Sequence, residues 1–163
     1  MVELLVWRHA KTEPADGVRP DHERELLPVG EIDAREVGRL LVERDLVPSV
    51  VLCSDAVRAR RTADLATESF PKRPERFDLP EIYDTDGSGI VPLLPVYAGG
   101  AARVLIVGHN PALSEFVSAV AGTTTQLTTG ALAVIEADAE RASDIAPATS
   151  FALRTVIIPP RKA

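Results

Sequence analysis

Short continuous apolar runs alternate along the chain with stretches whose apolar residues return every three or four positions. Val2–Trp7, Val50–Cys53, Val104–Val107, Ala131–Glu136 and Phe151–Ile158 read as strands. The first three are unbroken, as expected of central strands in a parallel sheet covered on both faces. Between them, Ile32, Val37, Leu40 and Leu41 share one face of a helix beginning near Gly30. Leu113, Phe116, Val117, Val120 and Ala121 follow the i, i+3, i+4, i+7, i+8 spacing of another helix, with Gly122 placed to end it. A further helix runs through Val57, Ala63 and Leu65, with Ser54 or Asp55 as its N-cap. Segment Ile90–Tyr97 is open: it is apolar enough for a buried helix, yet Pro92 and Pro95 break one unless each falls in a first turn or a kink. The pattern predicts one α/β domain over residues 1–163, a three-layer α/β/α sandwich around a mostly parallel sheet. Two strands around the loop Asp138–Ser150 close it, and the tail from Pro159 is expected to fray.

Composition narrows the function classes. At 163 residues, 45% hydrophobic and 26% charged, the chain can bury a full core without staples. Aromatic residues are only 4%, so Val, Leu, Ile and Ala must build that core. A net charge of -6 argues against nucleic acid or an anionic membrane as the partner, though it leaves room for a local cationic pocket. The single cysteine, Cys53, excludes an internal disulfide and sits in an apolar run, where a buried inert thiol is expected. The first residues lack the basic head and apolar length of a signal peptide, and no run approaches the ~20 apolar residues of a membrane span. The expectation is a cytoplasmic protein.

Chemistry collects after the three central strands. Val2–Trp7 is followed by Arg8-His9-Ala10-Lys11-Thr12, Val50–Cys53 by Ser54 through Ala63 with Arg58, Arg60 and Arg61, and Val104–Val107 by Gly108-His109-Asn110-Pro111. In an open parallel sheet the loops at the carboxyl ends share one edge, where ligands bind. Two imidazoles, guanidinium groups and helix N-termini would meet there, a set suited to a phosphoryl group.

These residues carry a family resemblance. Arg8-His9-Ala10, with Thr12 three positions beyond the histidine, resembles the Arg-His-Gly motif of the histidine phosphatase superfamily, which includes phosphoglycerate mutases. Ser54-x-x-x-Arg58-Ala59-x-x-Thr62-Ala63 is similar to that superfamily's second arginine motif, and Gly108-His109-Asn110 to its second histidine motif. The segment Asp21-His22-Glu23-Arg24-Glu25-Leu26-x-x-x-Gly30 and the short chain look most like SixA-type phosphohistidine phosphatases. The resemblance spans Leu4 to about Ile135 and implies a phosphoglycerate mutase-like fold. It also implies a metal-independent phosphatase without a cofactor, acting on a phosphorylated protein or a small phosphorylated substrate. His9 would attack phosphorus and form a phosphohistidine. Arg8 and Arg58 would hold the non-bridging oxygens, and His109 would stabilise transition-state charge. Consistent with this, His9, His22, His109 and Cys53 show no metal-ligand spacing.

A general acid is the least determined part. Mutase-like members carry a glutamate where this chain has Asp84, in Pro80-Glu81-Ile82-Tyr83-Asp84, and Glu81 is a second candidate. A phosphomonoester expels a strongly basic oxygen and needs a proton, whereas a protonated phosphohistidine ring leaves more readily. A missing acid therefore points to P–N substrates. Thr12 and Asn110 are phosphate contacts or local caps, and Gly130 permits a close backbone approach or simply starts a strand. His22, Arg60 and Arg61 are expected on the solvated surface. Lys11, Arg19 and Arg24 form a possible basic rim. Two other readings stay open: a small-molecule phosphomonoesterase or mutase, and a phosphate-binding module without chemistry.

Overall fold

The computed structural model describes residues 1–160. Its central sheet contains six strands, β1 (Val2–Arg8), β2 (Val50–Ser54), β3 (Glu75–Leu79), β4 (Arg103–Gly108), β5 (Leu132–Ala137) and β6 (Phe151–Ile157), in the order β3-β2-β4-β1-β5-β6. The pairs β3–β2, β2–β4 and β4–β1 are parallel, while β1–β5 and β5–β6 are antiparallel. The sheet is thus mostly parallel with an antiparallel flank. The continuous apolar runs do sit at its centre, because residues on both faces of β1, β2 and β4 must be apolar when both faces are covered.

Alternation along each strand divides the core into two. Leu5, Trp7, Val51, Cys53, Leu105 and Val107 face one side, with Ala34, Val37 and Leu41 of α1 (Pro28–Glu43) and Ala59, Ala63 and Ala66 of α2 (Val57–Thr67). Leu4, Val6, Leu52, Val104 and Ile106 face the other. There they meet Ile82 of α3 (Pro80–Tyr83), Leu94 of α4 (Leu94–Tyr97) and Leu113, Phe116 and Val117 of α5 (Ala112–Ala121). Three layers result. α1 and α2 approach closely because Gly38 has no side chain: a Cβ there would lie 2.3 Å from the carbonyl oxygen of Ala66.

Several expectations change. Ile32 is 59% exposed; the buried face of α1 is Gly30, Asp33, Ala34, Val37, Gly38 and Leu41, because small residues let this helix lie against the Lys11 backbone and α2. Strand β3 was not legible as an apolar run. It is an edge strand whose Arg76 Nε donates to Asp78 Oδ1 at 2.8 Å, and such charges discourage pairing with another chain. The N-cap of α2 is Ala56, and neither Ser54 nor Asp55 caps it by side chain. Pro92 and Pro95 each fall in a first turn, of a 3-10 helix (Val91–Leu93) and of α4. Of the tail expected to fray, Pro159 is instead buried and lies over Gly130; the remainder, 161–163, falls outside the described residues. No helix among the described residues is long and apolar enough to cross a membrane.

Candidate active site

Strand register alone brings the motifs together. Arg8, the last residue of β1, pairs with Gly108, the last of β4, so His9 and His109 emerge side by side. Cys53 pairs with Val107, placing Ser54 at the same edge. The His9 N–H donates to the Gly108 carbonyl at 3.0 Å. Behind them, the Gly130 N–H reaches the carbonyls of Arg8 (3.1 Å) and His9 (2.9 Å), from a left-handed conformation at φ 81° that favours glycine.

The two imidazole rings stand with centroids 5.1 Å apart. His9 Nδ1 lies 2.8 Å from the Ala10 carbonyl, which can only accept, so this nitrogen carries the proton and Nε2 keeps its lone pair. Arg58 Nε donates to that Nε2 at 3.3 Å. Burial, with the Arg58 and Arg8 charges added, pushes the His9 pKa down to about 4 against the supporting Ala10 bond. His109 is pushed down to about 3, first by burial and then by His9 and Arg58. Its Nε2 is 2.7 Å from Ser54 Oγ, which also accepts the Ala56 N–H at 3.2 Å. The Ser54 hydroxyl can donate to Nε2 or accept from it, which leaves Nδ1 as the ring's other nitrogen. That nitrogen and Arg8 Nε are buried and have no hydrogen-bond partner.

Arg58 is the second residue of α2, its side chain 6% exposed. Its Nη1 donates to the Asp21 carbonyl at 2.7 Å and its Nη2 to Asp21 Oδ2 at 3.0 Å. The Asp21 carboxylate also accepts the Tyr83 hydroxyl at 2.7 Å and Arg24 Nε at 2.9 Å. These bonds, from Tyr83 above all, then Arg58 and Arg24, hold its pKa well below the usual carboxylate range. Thr62 accounts for the end of the second motif: its hydroxyl donates to the Arg58 carbonyl at 2.7 Å and accepts the Ala10 N–H at 3.1 Å, tying α2 to the segment after His9.

Arg8, His9, Arg58 and His109 therefore converge, but other candidates do not. Asp84, the C-cap of α3, is exposed, and its side chain makes no hydrogen bond or ion pair with any of the four. Glu81 is also exposed and accepts the Tyr97 hydroxyl at 3.1 Å. Tyr83, not a carboxylate, is what α3 turns toward the histidines: its ring lies edge-on to His109 at 5.5 Å and to His22 at 4.9 Å. Asn110 Nδ2 donates to the Leu127 carbonyl at 2.8 Å, and its Oδ1 accepts the Ser114 hydroxyl at 2.7 Å. It thus pins the loop whose Leu127 carbonyl also receives Arg8 Nη1 at 2.9 Å. Thr12 Oγ1 accepts from Arg24 Nη1 at 3.3 Å. Arg19 is neutralised by Glu13 and Glu25, and Lys11 is exposed, so of the expected rim only Arg24 reaches the site. His22 is half-buried rather than fully exposed, because it pairs with Asp55 at 2.9 Å. Asp21 and Ser54 were within quoted motifs, yet nothing in their spacing announced which ring or guanidinium they would hold. Cys53 is buried and its thiol is pushed up by burial, as expected of an inert core thiol.

The low pKa values have a measurable consequence. In the unfolded chain both rings would bind protons below ~6.5, whereas the folded chain keeps them neutral until about 4 or lower. The unfolded state then holds more protons in that window, so stability falls as pH drops from ~6.5 toward 4. NMR titration should show the His9 and His109 ring signals flat from about pH 8 to pH 5; a midpoint near ~6.5 for either ring would contradict the site's electrostatics.

Comparison with known proteins agrees with the fold. Residues 4–80 match the histidine phosphatase superfamily (branch 1). The chain belongs to that superfamily, and phosphatase chemistry is the class of activity the family defines. An uncharacterised protein of Mycobacterium leprae is 33% identical over 123 residues, covering 72% of this chain and 73% of that protein. Among solved structures, the SixA protein of Nakamurella multipartitia superposes with a TM-score of 0.81 at 26% identity, over 97% of this chain and 96% of that one. The protein histidine phosphatase SixA complexed with tungstate has the same fold, with a TM-score of 0.74 at 19% identity and 97% of each chain covered.

Proposed function

We propose that the protein is a phosphatase in which His9 is the nucleophile and phosphohistidine in a protein is the substrate. The observation that carries this reading is a pair of buried groups without a hydrogen-bond partner, Arg8 Nε on the residue before His9 and His109 Nδ1 on the ring 5.1 Å from it, beside a neutral His9 whose Nδ1 carries the proton. A phosphoryl oxygen satisfies both groups. Its phosphorus then stands before the one nitrogen able to attack.

The steps follow from the residues. His9 Nε2 forms a bond to phosphorus as the bond to the leaving group breaks, and the leaving group takes the electron pair. Arg8 and Arg58 hold the non-bridging oxygens, and His109 stabilises the charge that builds there. Burial keeps His9 neutral and ready without a base to deprotonate it. Water then attacks the phosphohistidine, and the electron pair returns to Nε2.

Two observations favour a protein substrate with a P–N bond. Neither Asp84 nor Glu81 reaches the histidines to serve as an acid of the mutase kind. The stretch between β3 and β4 commits Ile82, Ile90, Leu94 and Ala98 to the core and turns Tyr83 toward the histidines, which leaves little of it to cap the mouth. Assay of phosphohistidine proteins, aryl and alkyl phosphates and nucleotides in chelator tests the assignment. Phosphohistidine is expected to give the highest kcat/KM with no loss in chelator; a nucleotide or sugar phosphate turned over faster would reject the protein-substrate reading.

A further inference from the structure

We infer that Asp21 is a positioning residue: it grips Arg58 so that the guanidinium Nε stays aimed at His9 Nε2, where phosphorus arrives. This rests on the phosphatase reading above. The Arg58 side chain is 6% exposed and that of Asp21 is 50% exposed. A buried guanidinium needs both a counter-charge and acceptors for its N–H groups. Among the described residues, Asp21 is the one carboxylate paired with it.

A single residue holds both tines of the fork. The Asp21 carbonyl accepts Nη1 at 2.7 Å and Oδ2 accepts Nη2 at 3.0 Å. With both Nη groups fixed, the plane of the guanidinium is set, and Nε stands 3.3 Å from His9 Nε2. When phosphorus meets that lone pair, the Nε–H passes to a non-bridging oxygen without the side chain having to turn. Charge alone argues against a carboxylate at this place, because it opposes a phosphoryl dianion. Fixing Arg58 is what offsets that cost.

Asp21 is itself held from three sides. Its carbonyl also accepts the Arg24 N–H at 3.2 Å, which closes the 3-10 turn Asp21–Glu23. Oδ1 accepts Arg24 Nε at 2.9 Å, and Oδ2 accepts the Tyr83 hydroxyl at 2.7 Å. The Tyr83 ring in turn lies 6.0 Å from the Arg58 guanidinium carbon. The turn, α2 and α3 thus meet at one carboxylate. The Tyr83 bond first, then those from Arg58 and Arg24, keep it ionised, so the grip persists throughout the pH range in which His9 is neutral.

The test is Asp21→Ala in the full protein, alone and combined with Arg58→Ala, with Asp21→Asn and Tyr83→Phe beside them. Asp21→Ala is expected to lower kcat/KM on phosphohistidine by about ten- to a hundredfold, as misplacing a group at the reacting centre does. Asp21→Asn should recover part of this, since its amide oxygen still accepts from Nη2, and Tyr83→Phe should lose less than Asp21→Ala. Added to Arg58→Ala, Asp21→Ala should cost less than about threefold further, because the group it holds is gone. Losses that multiply, or no loss in Asp21→Ala, would overturn the proposal.

NMR gives a readout that needs no turnover. Burial first, then the charges of Arg58, Arg8 and Arg24, hold His9 down at about 4 against the Ala10 bond, with the His109 ring beside it. Once Asp21 is removed, the guanidinium is expected to drift from His9, so the His9 midpoint rises toward ~6.5 and the protected Arg58 Nε–H signal is lost. An Arg58 that stands without Asp21 would give the opposite result: losing a negative charge moves the midpoint down or leaves it in place, and the Nε–H signal remains. That outcome sinks the proposal. An unmodified protein that takes no phosphate onto His9 from phosphoramidate overturns the phosphatase reading instead, and the titration still decides whether Asp21 holds Arg58.

Discussion

Replacing His9 with asparagine is expected to lower kcat by about 10⁴-fold or more on every substrate, because the atom that bonds to phosphorus is gone. Asparagine can still donate to the Ala10 carbonyl that His9 Nδ1 reaches at 2.8 Å, so the fold and the neighbouring Arg58 should persist. Phosphate or tungstate binding, measured by calorimetry, should survive in the variant within about an order of magnitude, since Arg8, Arg58 and His109 remain. Retained turnover with an intact fold would remove His9 from the chemistry. Loss of both turnover and folding would not, and circular dichroism distinguishes the cases.

Arg58→Ala is expected to have the next largest effect, a loss of about a hundred- to a thousandfold in kcat/KM, as found when a charge-stabilising donor is removed from a preorganised site. Three separate bonds run from this guanidinium, to His9 Nε2, the Asp21 carbonyl and Asp21 Oδ2. Alanine leaves the Asp21 carboxylate facing the site without its main counter-charge, which adds repulsion toward a phosphoryl dianion. Arg58→Lys should recover little, because an ammonium cannot make these three contacts in one plane. A lysine variant with nearly full activity would show that Arg58 contributes charge alone and that the fork geometry is irrelevant.

What the sequence disclosed follows from how each feature is encoded. The central strands announce themselves because burial on both faces demands unbroken apolar runs, and Val2–Trp7, Val50–Cys53 and Val104–Val107 lie in β1, β2 and β4. Arg8, His9, Arg58 and His109 were legible because each follows one of those strands at a short fixed distance. Strand register then converts chain proximity into spatial proximity. β3 was hidden because an edge strand with one wetted face carries charges where a central strand carries valine. Tyr83 and Asp84 are neighbours in sequence, and which of them meets the histidines is decided by Ile82 docking in the core, not by either residue's own chemistry. Likewise, the pairing of His22 with Asp55 and of Ser54 with His109 spans 33 and 55 positions, with no periodic signal to join them. Ile32 misled because an amphipathic pattern counts apolar residues, whereas α1 packs through Gly30, Ala34 and Gly38.

The most direct measurement is to capture the intermediate. Brief incubation with labelled phosphoramidate, a base quench and peptide mapping should place an acid-labile, base-stable phosphate on Nε2 of His9, and none should form on His9→Asn. Label on His109 or His22 instead, or steady turnover with no labelled histidine at any quench time, would contradict a covalent transfer through that ring.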